Sequence, residues 1–262
     1  MAQIKREKIL GKVTVMDEIK INKPNKSRVF GAFLLIIGIF GVLVIMHRLS
    51  YYVYEYDPKW SPVDYGKLNV LSFFTIHSNI LASVYLIIKG IAVFGSKRAQ
   101  KIAFNPTFTL LVTTYILLAG IVYTSGFPLK MSPPLTWDTP YNAMHSFTQI
   151  FHHMIMPPLM VIIFLFPATD EKIGKKAPWI AGIYPLVYSL FSMARGVLGR
   201  MHFYPYPFYR PEFFYNMVFK GKELNLPVAY ALMVPALAGG IGIFIGTAAI
   251  LRAIYNKRIK EN

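Results

Sequence analysis

The chain of 262 residues is 55% hydrophobic and only 15% charged, with a mean hydropathy of +0.44, which excludes an ordinary soluble domain. Its formal charge of +16 would suit a nucleic-acid-binding protein, but the basic residues lie between apolar segments rather than along one face, so we expect no nucleic-acid partner. The absence of cysteine excludes disulfides, thiolate metal sites and a cysteine nucleophile.

Six apolar segments are long enough to cross a membrane. About 20 apolar residues in a helix span the hydrocarbon core, and a helix satisfies its own backbone polar groups there. The sequence therefore predicts an all-α polytopic membrane helix bundle, with one transmembrane domain over residues 29–255. The predicted spans are Val29–Ser50, Val70–Phe94, Phe108–Phe127, Met144–Phe166, Trp179–Leu198 and Val228–Tyr255.

The distribution of lysine and arginine predicts the orientation of this bundle. Basic residues concentrate in an N-terminal arm (residues 1–28), in the loops after the second and fourth spans, and in a C-terminal tail (residues 256–262). Cytoplasmic segments next to membrane spans carry such an excess, so both termini are predicted to be cytoplasmic. The opposite side has fewer basic and many aromatic residues and is predicted to be the outer face.

All six histidines lie in the predicted outer half of the spans or in the outer loops. The spans contain no Asp or Glu, which disfavours ion-coupled transport. His153 lies deepest, in the fourth span, and an ionisable residue inside a membrane helix is costly enough to indicate a function. A neutral histidine can also simply donate to a neighbouring helix carbonyl. The six histidines are His47, His77, His145, His152, His153 and His202.

Helical spacing groups polar side chains on the fourth span. His145, Gln149 and His153 share one helix face at successive i to i+4 steps, whereas His152 turns away by about 100°. On this spacing Gln149 is positioned to orient the His153 ring.

A similar pair lies on the second span, where Thr75 and Asn79 share a face, and Asn79 is a candidate for binding or orienting a substrate. A threonine hydroxyl attacks a carbonyl only when a base removes its proton. Thr75 and His153, at similar predicted depth, are therefore a candidate nucleophile and base. The alternative is structural, because a threonine in a membrane helix commonly bonds the carbonyl of the preceding turn.

Two polar residues of the fifth span are candidates for binding or orienting a substrate. Arg195, near the outer end, could bind a carboxylate or phosphate group, or could extend to the interface. Tyr188 could donate to an oxyanion, or could bond a backbone carbonyl.

Several motifs occur in a familiar order: Phe73–Asn79, then His153–Pro157, then Arg195, then the Tyr-Pro-rich segment Tyr204–Phe208. In this order they resemble the androgen-induced-gene and ADTRP-like family of six-helix integral membrane proteins, and most of all its bacterial branch. The similarity covers roughly Asn69 to Phe213.

This resemblance implies a function. Animal members are membrane hydrolases that cleave fatty acid esters of hydroxy fatty acids with an intramembrane threonine and a histidine. By resemblance, Thr75 matches the threonine and His153 matches the histidine. It also implies a bacterial plasma-membrane location, a lipid-like substrate taken from the surrounding membrane lipid, and no cofactor.

Two alternatives remain open at the level of the sequence. One is a metal- or haem-binding membrane protein whose ligands come from His47, His77, His145 and His153. The other is a non-catalytic scaffold whose basic arm contacts anionic lipid or a partner. The sequence predicts no oligomeric state.

Overall fold

The computed structural model describes residues 28–51, 66–128, 132, 134–199 and 203–261. Within these ranges the regular structure is entirely helical, as predicted. The α-helices are joined by two 3₁₀ turns, Gly66–Ser72 and Pro207–Tyr209, and by a π-helical turn, Phe151–Ile155. The helices are α1 (Arg28–Tyr51), α2 (Phe74–Val93), α3 (Lys97–Ala103), α4 (Pro106–Gly126), α5 (Pro140–Ile150), α6 (Met156–Leu165), α7 (Ala177–Leu198), α8 (Pro211–Val218) and α9 (Leu226–Glu261).

Six helical segments are long and apolar enough to cross a membrane, which confirms the predicted multi-pass bundle. They are α1, α2, α4, the continuous segment from α5 through the π turn to α6, α7 and α9. The second span begins later than predicted, at Phe74 instead of Val70, because the preceding residues form a 3₁₀ turn. Of the predicted arm, residues 1–27 lie outside the described residues.

The last helix also differs from the prediction, since α9 continues to Glu261 through residues assigned to a basic tail. Asn256 gives this extension a structural role. Its Oδ1 accepts from the backbone N–H of Ile173 at 2.8 Å, and its Nδ2 donates to the carbonyl of the same residue at 3.0 Å. The extended helix thereby fixes the loop between α6 and α7.

The two ends of the bundle differ in composition. At the basic end, α2 ends and α4 begins, and the connections carry Lys97, Arg98, Lys101, Lys172, Lys175 and Lys176. At the aromatic end, the segment before α8 folds over the start of α2. There the rings of Phe73 and Tyr206 pack edge to face, with centroids 5.7 Å apart.

Small residues allow α1 and α2 to approach closely. A Cβ added at Gly38 would lie 2.8 Å from the carbonyl oxygen of Ser83 and 2.9 Å from the backbone nitrogen of Ile87. Similarly, a Cβ at Gly90 would lie 2.9 Å from the carbonyl oxygen of Gly31. These neighbours are backbone atoms, so neither clash can be relieved by a side-chain rotation.

Substitution of Gly38 by alanine is therefore expected to destabilise the protein by about 1–3 kcal/mol, through overpacking. Thermal unfolding in detergent measures the change. Gly242→Ala is the matched control, because an added Cβ on that α9 glycine meets nothing within 4 Å. Equal melting temperatures for the two variants would contradict the close α1–α2 contact.

The fourth span is interrupted by the π turn, and its prolines explain why. Pro157 has no N–H to donate to the carbonyl of His153, so the regular hydrogen-bond ladder cannot continue there. Instead the N–H of Met156 bonds the carbonyl of Phe151, five residues earlier. The wider turn changes the directions in which His152 and His153 leave the helix.

Candidate functional site

The predicted nucleophile, Thr75, lies in the first turn of α2, where two tyrosine hydroxyls act as the helix cap. The N-cap residue, Phe73, is extended and offers no side-chain hydrogen bond. The hydroxyl of Tyr188 accepts from the N–H of Phe74 at 3.1 Å, and that of Tyr206 accepts from the N–H of Thr75 at 3.4 Å. They satisfy backbone donors that a helix start otherwise leaves without partners.

Tyr188, the predicted oxyanion donor, uses its hydrogen elsewhere. Its hydroxyl donates to the carbonyl oxygen of Ser72 at 2.7 Å. Because the Tyr188 hydroxyl oxygen also accepts from the N–H of Phe74, Tyr188 joins α7 to the start of α2. This hydrogen bond to a backbone carbonyl is the structural alternative that the sequence analysis gives for Tyr188.

Tyr206 also belongs to the site, although no role is predicted for it from the sequence. Its hydroxyl oxygen lies 3.5 Å from Oγ1 of Thr75. Burial raises the pKa of the Tyr206 hydroxyl above its usual value, so the group stays protonated and can donate a hydrogen bond. The segment that follows α7 thus brings a proton donor beside the Thr75 hydroxyl.

Asn79 connects the Thr75 turn to the fourth span. It is fully buried, and its Nδ2 donates both to the carbonyl of Thr75 at 2.9 Å and to the carbonyl of His152 at 3.2 Å. The side chain that was predicted to orient a substrate therefore joins the backbone of the predicted nucleophile to that of a histidine on the π turn.

Three polar atoms near this connection have no hydrogen-bond partner among the described residues: Oδ1 of Asn79, Nε2 of His152 and Oγ of Ser83. All three side chains are at most 3% exposed. Ser83 follows Asn79 by one turn on the same face of α2. Buried polar groups without partners are rare in folded proteins, and they mark a place where water or a ligand completes the hydrogen bonding.

His153, the predicted base, contacts α4. Its Nδ1 lies 3.1 Å from the carbonyl oxygen of Ala119 on α4, and its ring stacks on Tyr123 at a centroid distance of 3.9 Å. It lines an apolar groove of about 530 Å³ together with Gly120 and Thr124 of α4. The hydrogen bonds of Thr75 and His153 thus go to different partners on different helices.

Gln149 bonds His145 at 3.1 Å, rather than His153 as the helical spacing predicts. The physical reason is that the intervening π turn shifts the helix register between positions 149 and 153. His145 is also contacted by the guanidinium of Arg48, at 2.7 Å. The tautomer of His153 is set instead by the carbonyl of Ala119, which requires hydrogen on Nδ1 and leaves Nε2 as the acceptor.

Arg195 fastens α7 to the 3₁₀ turn Gly66–Ser72. Its guanidinium donates to Oδ1 of Asn69 at 2.8 Å and to the hydroxyl of Ser72, and it lies 4.5 Å from the ring centre of Phe203. These contacts hold the backbone that precedes Thr75. They give this predicted ligand-binding arginine a positioning role.

The four histidines of the metal hypothesis do not converge in the described structure, which holds no group of three or more residues arranged as metal ligands. His77 contacts the hydroxyl of Tyr184 at 2.6 Å and the carbonyl oxygen of Leu71 at 2.5 Å. His145 and His153 bond the partners given above, and His47 lies on α1.

Comparison of the chain with protein-family models, with curated proteins and with solved structures gives no match. The similarity to the androgen-induced-gene and ADTRP-like family therefore remains a hypothesis based on the motifs alone.

Proposed function

We propose that the protein is an integral membrane lipid-ester hydrolase, with Thr75 as nucleophile and His152, rather than His153, as the base. The observation that supports this choice is the Asn79 side chain, which bonds the carbonyls of both Thr75 and His152. The resemblance to a family of threonine-dependent membrane hydrolases supports the reaction class.

The chemistry follows from the groups around Asn79. Nε2 of His152 has no partner among the described residues, so it is available to take the hydroxyl proton of Thr75 as that oxygen attacks the ester carbonyl. The Tyr206 hydroxyl donates to the oxyanion that forms. Collapse returns the proton to the leaving alcohol and leaves an acyl-threonine, which water then hydrolyses with His152 again as base.

Two features distinguish this site from a Ser-His-Asp triad. The predicted spans contain no carboxylate to orient the imidazole, so backbone geometry at the π turn has to hold His152. The hydroxyl and the imidazole must also draw together when substrate binds, as catalytic hydrogen bonds often do. We therefore expect a slower enzyme than a triad hydrolase.

A second arrangement keeps His153 as the base and is favoured by the groove between α4 and α6. The His153 side chain, whose Nε2 is a hydrogen-bond acceptor, lines this apolar groove. An apolar groove suits an acyl chain. The two arrangements differ in which histidine is essential.

Turnover of a fluorogenic long-chain acyl ester by the purified protein in detergent micelles tests the function. We expect release of the fluorophore by the wild type. Wild-type protein that is folded but inactive on esters of every chain length, from short to long, would contradict the proposal.

We further propose that the basic end faces the cytoplasm, with both termini there, in a bacterial plasma membrane. The basic connections support this orientation. Because the chain has no cysteine, single-cysteine variants report on exposure without background. An impermeant maleimide on intact cells should label Glu212→Cys, on α8 at the aromatic end, and should label Lys101→Cys, on α3, only after permeabilisation. The reverse pattern would invert the topology.

A further inference from the structure

A group of exposed basic side chains lies at the basic end of the bundle, where α1 begins and α3 follows α2. Three of them are on the short helix α3, whose other side is buried at Ala99 and Ala103. The helical spacing puts these three on its outward side. The fourth is the first residue of α1. We call the four residues the α1–α3 cationic surface: Arg28, Lys97, Arg98 and Lys101.

The fold fixes α3 against the end of α2. The chain reverses at Gly95, whose φ of +104° is a conformation that side chains with a Cβ rarely adopt. Nε2 of Gln100 then donates to the carbonyl of Ala92 at 3.0 Å, and the hydroxyl of Tyr85 donates to the carbonyl of Ala103 at 3.1 Å. These bonds hold α3 in one place, so its basic side chains project from a fixed backbone.

Exposed apolar side chains border the cationic surface. Arg28 lies at this end of α1, and three residues later Gly31 packs on α2, where an added Cβ would lie 3.1 Å from the ring of Phe94. Phe94 is itself exposed, as are Val29 at the start of α1 and Ile102 on α3. The cations therefore lie at the ends of two membrane spans, next to apolar groups at the edge of the hydrocarbon core.

The cationic surface has little negative charge around it. The sequence has no Asp or Glu between Arg28 and Tyr54 or between Asp64 and Asp138. In the described part of the chain none of the four cations forms an ion pair. The carboxylates of the loop after α6, Asp170 and Glu171, lie near Tyr255 of α9.

We propose that the α1–α3 cationic surface binds the head group of an anionic phospholipid. The guanidinium and ammonium groups donate to the phosphate oxygens, and the apolar border contacts the acyl chains. A soluble acidic protein would meet the charges but not the apolar border. A zwitterionic lipid brings its own ammonium, which competes with the lysines for the phosphate. This inference does not depend on the proposed hydrolysis or on which end of the bundle faces the cytoplasm.

Native mass spectrometry of the full chain in dodecyl maltoside tests the surface, with phosphatidylglycerol or phosphatidylcholine of the same acyl chains added. We expect bound phosphatidylglycerol and much less phosphatidylcholine. Each cation near a membrane surface strengthens binding of an anionic lipid by about fivefold. The triple variant Lys97→Gln, Arg98→Gln and Lys101→Gln should therefore lower the apparent affinity for phosphatidylglycerol by about tenfold to 100-fold.

A matched control removes three charges from the same end of the bundle. Its substitutions are Lys172→Gln, Lys175→Gln and Lys176→Gln, in the loop between α6 and α7, and it should keep the wild-type affinity. Melting temperatures in the same detergent check that both variants fold. If the α3 variant does not fold, the single charge reversal Lys101→Glu replaces it and should also weaken binding.

Equal losses in the two triple variants would show a general attraction of the basic end and would overturn the proposal. Equal binding of the two lipids by the wild type would overturn it too, as would unchanged affinity in a folded Lys101→Glu variant. A glutamate-rich peptide that binds as tightly as phosphatidylglycerol would identify an acidic protein segment as the occupant and would overturn the lipid assignment.

Discussion

Replacing His152 with glutamine is expected to lower the rate of ester hydrolysis by about 10²-fold to 10⁴-fold, the usual contribution of a general base. Glutamine approximates the size of the ring but cannot take the proton of Thr75. Initial rates with a fluorogenic acyl ester in micelles measure the loss. The melting temperature of the variant, in the same detergent, checks that the bundle remains folded.

His153→Gln is the matched control, because the two histidines are adjacent and both are largely buried, yet the second bonds Ala119 on α4. It should retain most of the activity. If His153→Gln abolishes hydrolysis while His152→Gln does not, then the base is the histidine that lines the α4–α6 groove, as the sequence predicts.

Thr75→Ala is expected to reduce turnover to the level of the uncatalysed reaction, since no hydroxyl remains to form the acyl intermediate. Thr75→Ser, which keeps a hydroxyl at the same position, should retain a measurable fraction of the rate. The same assay applies to both variants, and burst kinetics in the wild type would report acyl-enzyme formation.

Thr124→Val is the control for Thr75→Ala. Thr124 lines the groove beside His153 and bonds the carbonyl of Gly120 at 2.8 Å, as a structural membrane threonine does. Full activity in Thr124→Val together with none in Thr75→Ala would place the nucleophile at the start of α2. The opposite result would place the nucleophile in the groove and contradict the Thr75 mechanism.

The spans were predictable because each depends on a local property, a long apolar run. The direction of the His153 side chain was not predictable in the same way. Its prediction assumed an uninterrupted α-helix from His145 onward, and the π turn breaks that register. Pro157 and Pro158 were the available signal, since prolines inside a helix remove hydrogen bonds from the preceding turn.

Long-range contacts could not be predicted from the sequence either. Tyr206 reaches Thr75 across 131 positions, and no spacing rule connects them. Lys89 was accessible to reasoning, because an ionisable residue within a span indicates a function by the same rule that singles out His153. Its hydrogen bond to Tyr85, which in turn contacts Thr109 of α4, required the folded structure.

Mapping the residue that reacts with a lipid-like fluorophosphonate tests the central claim most directly. The probe labels an activated hydroxyl, and mass spectrometry of the digested protein identifies the modified side chain. The adduct is expected on Thr75, with labelling abolished in Thr75→Ala and strongly reduced in His152→Gln. An adduct on any other residue, or undiminished labelling of Thr75→Ala, would contradict a hydrolase that uses the Thr75, Asn79 and His152 site.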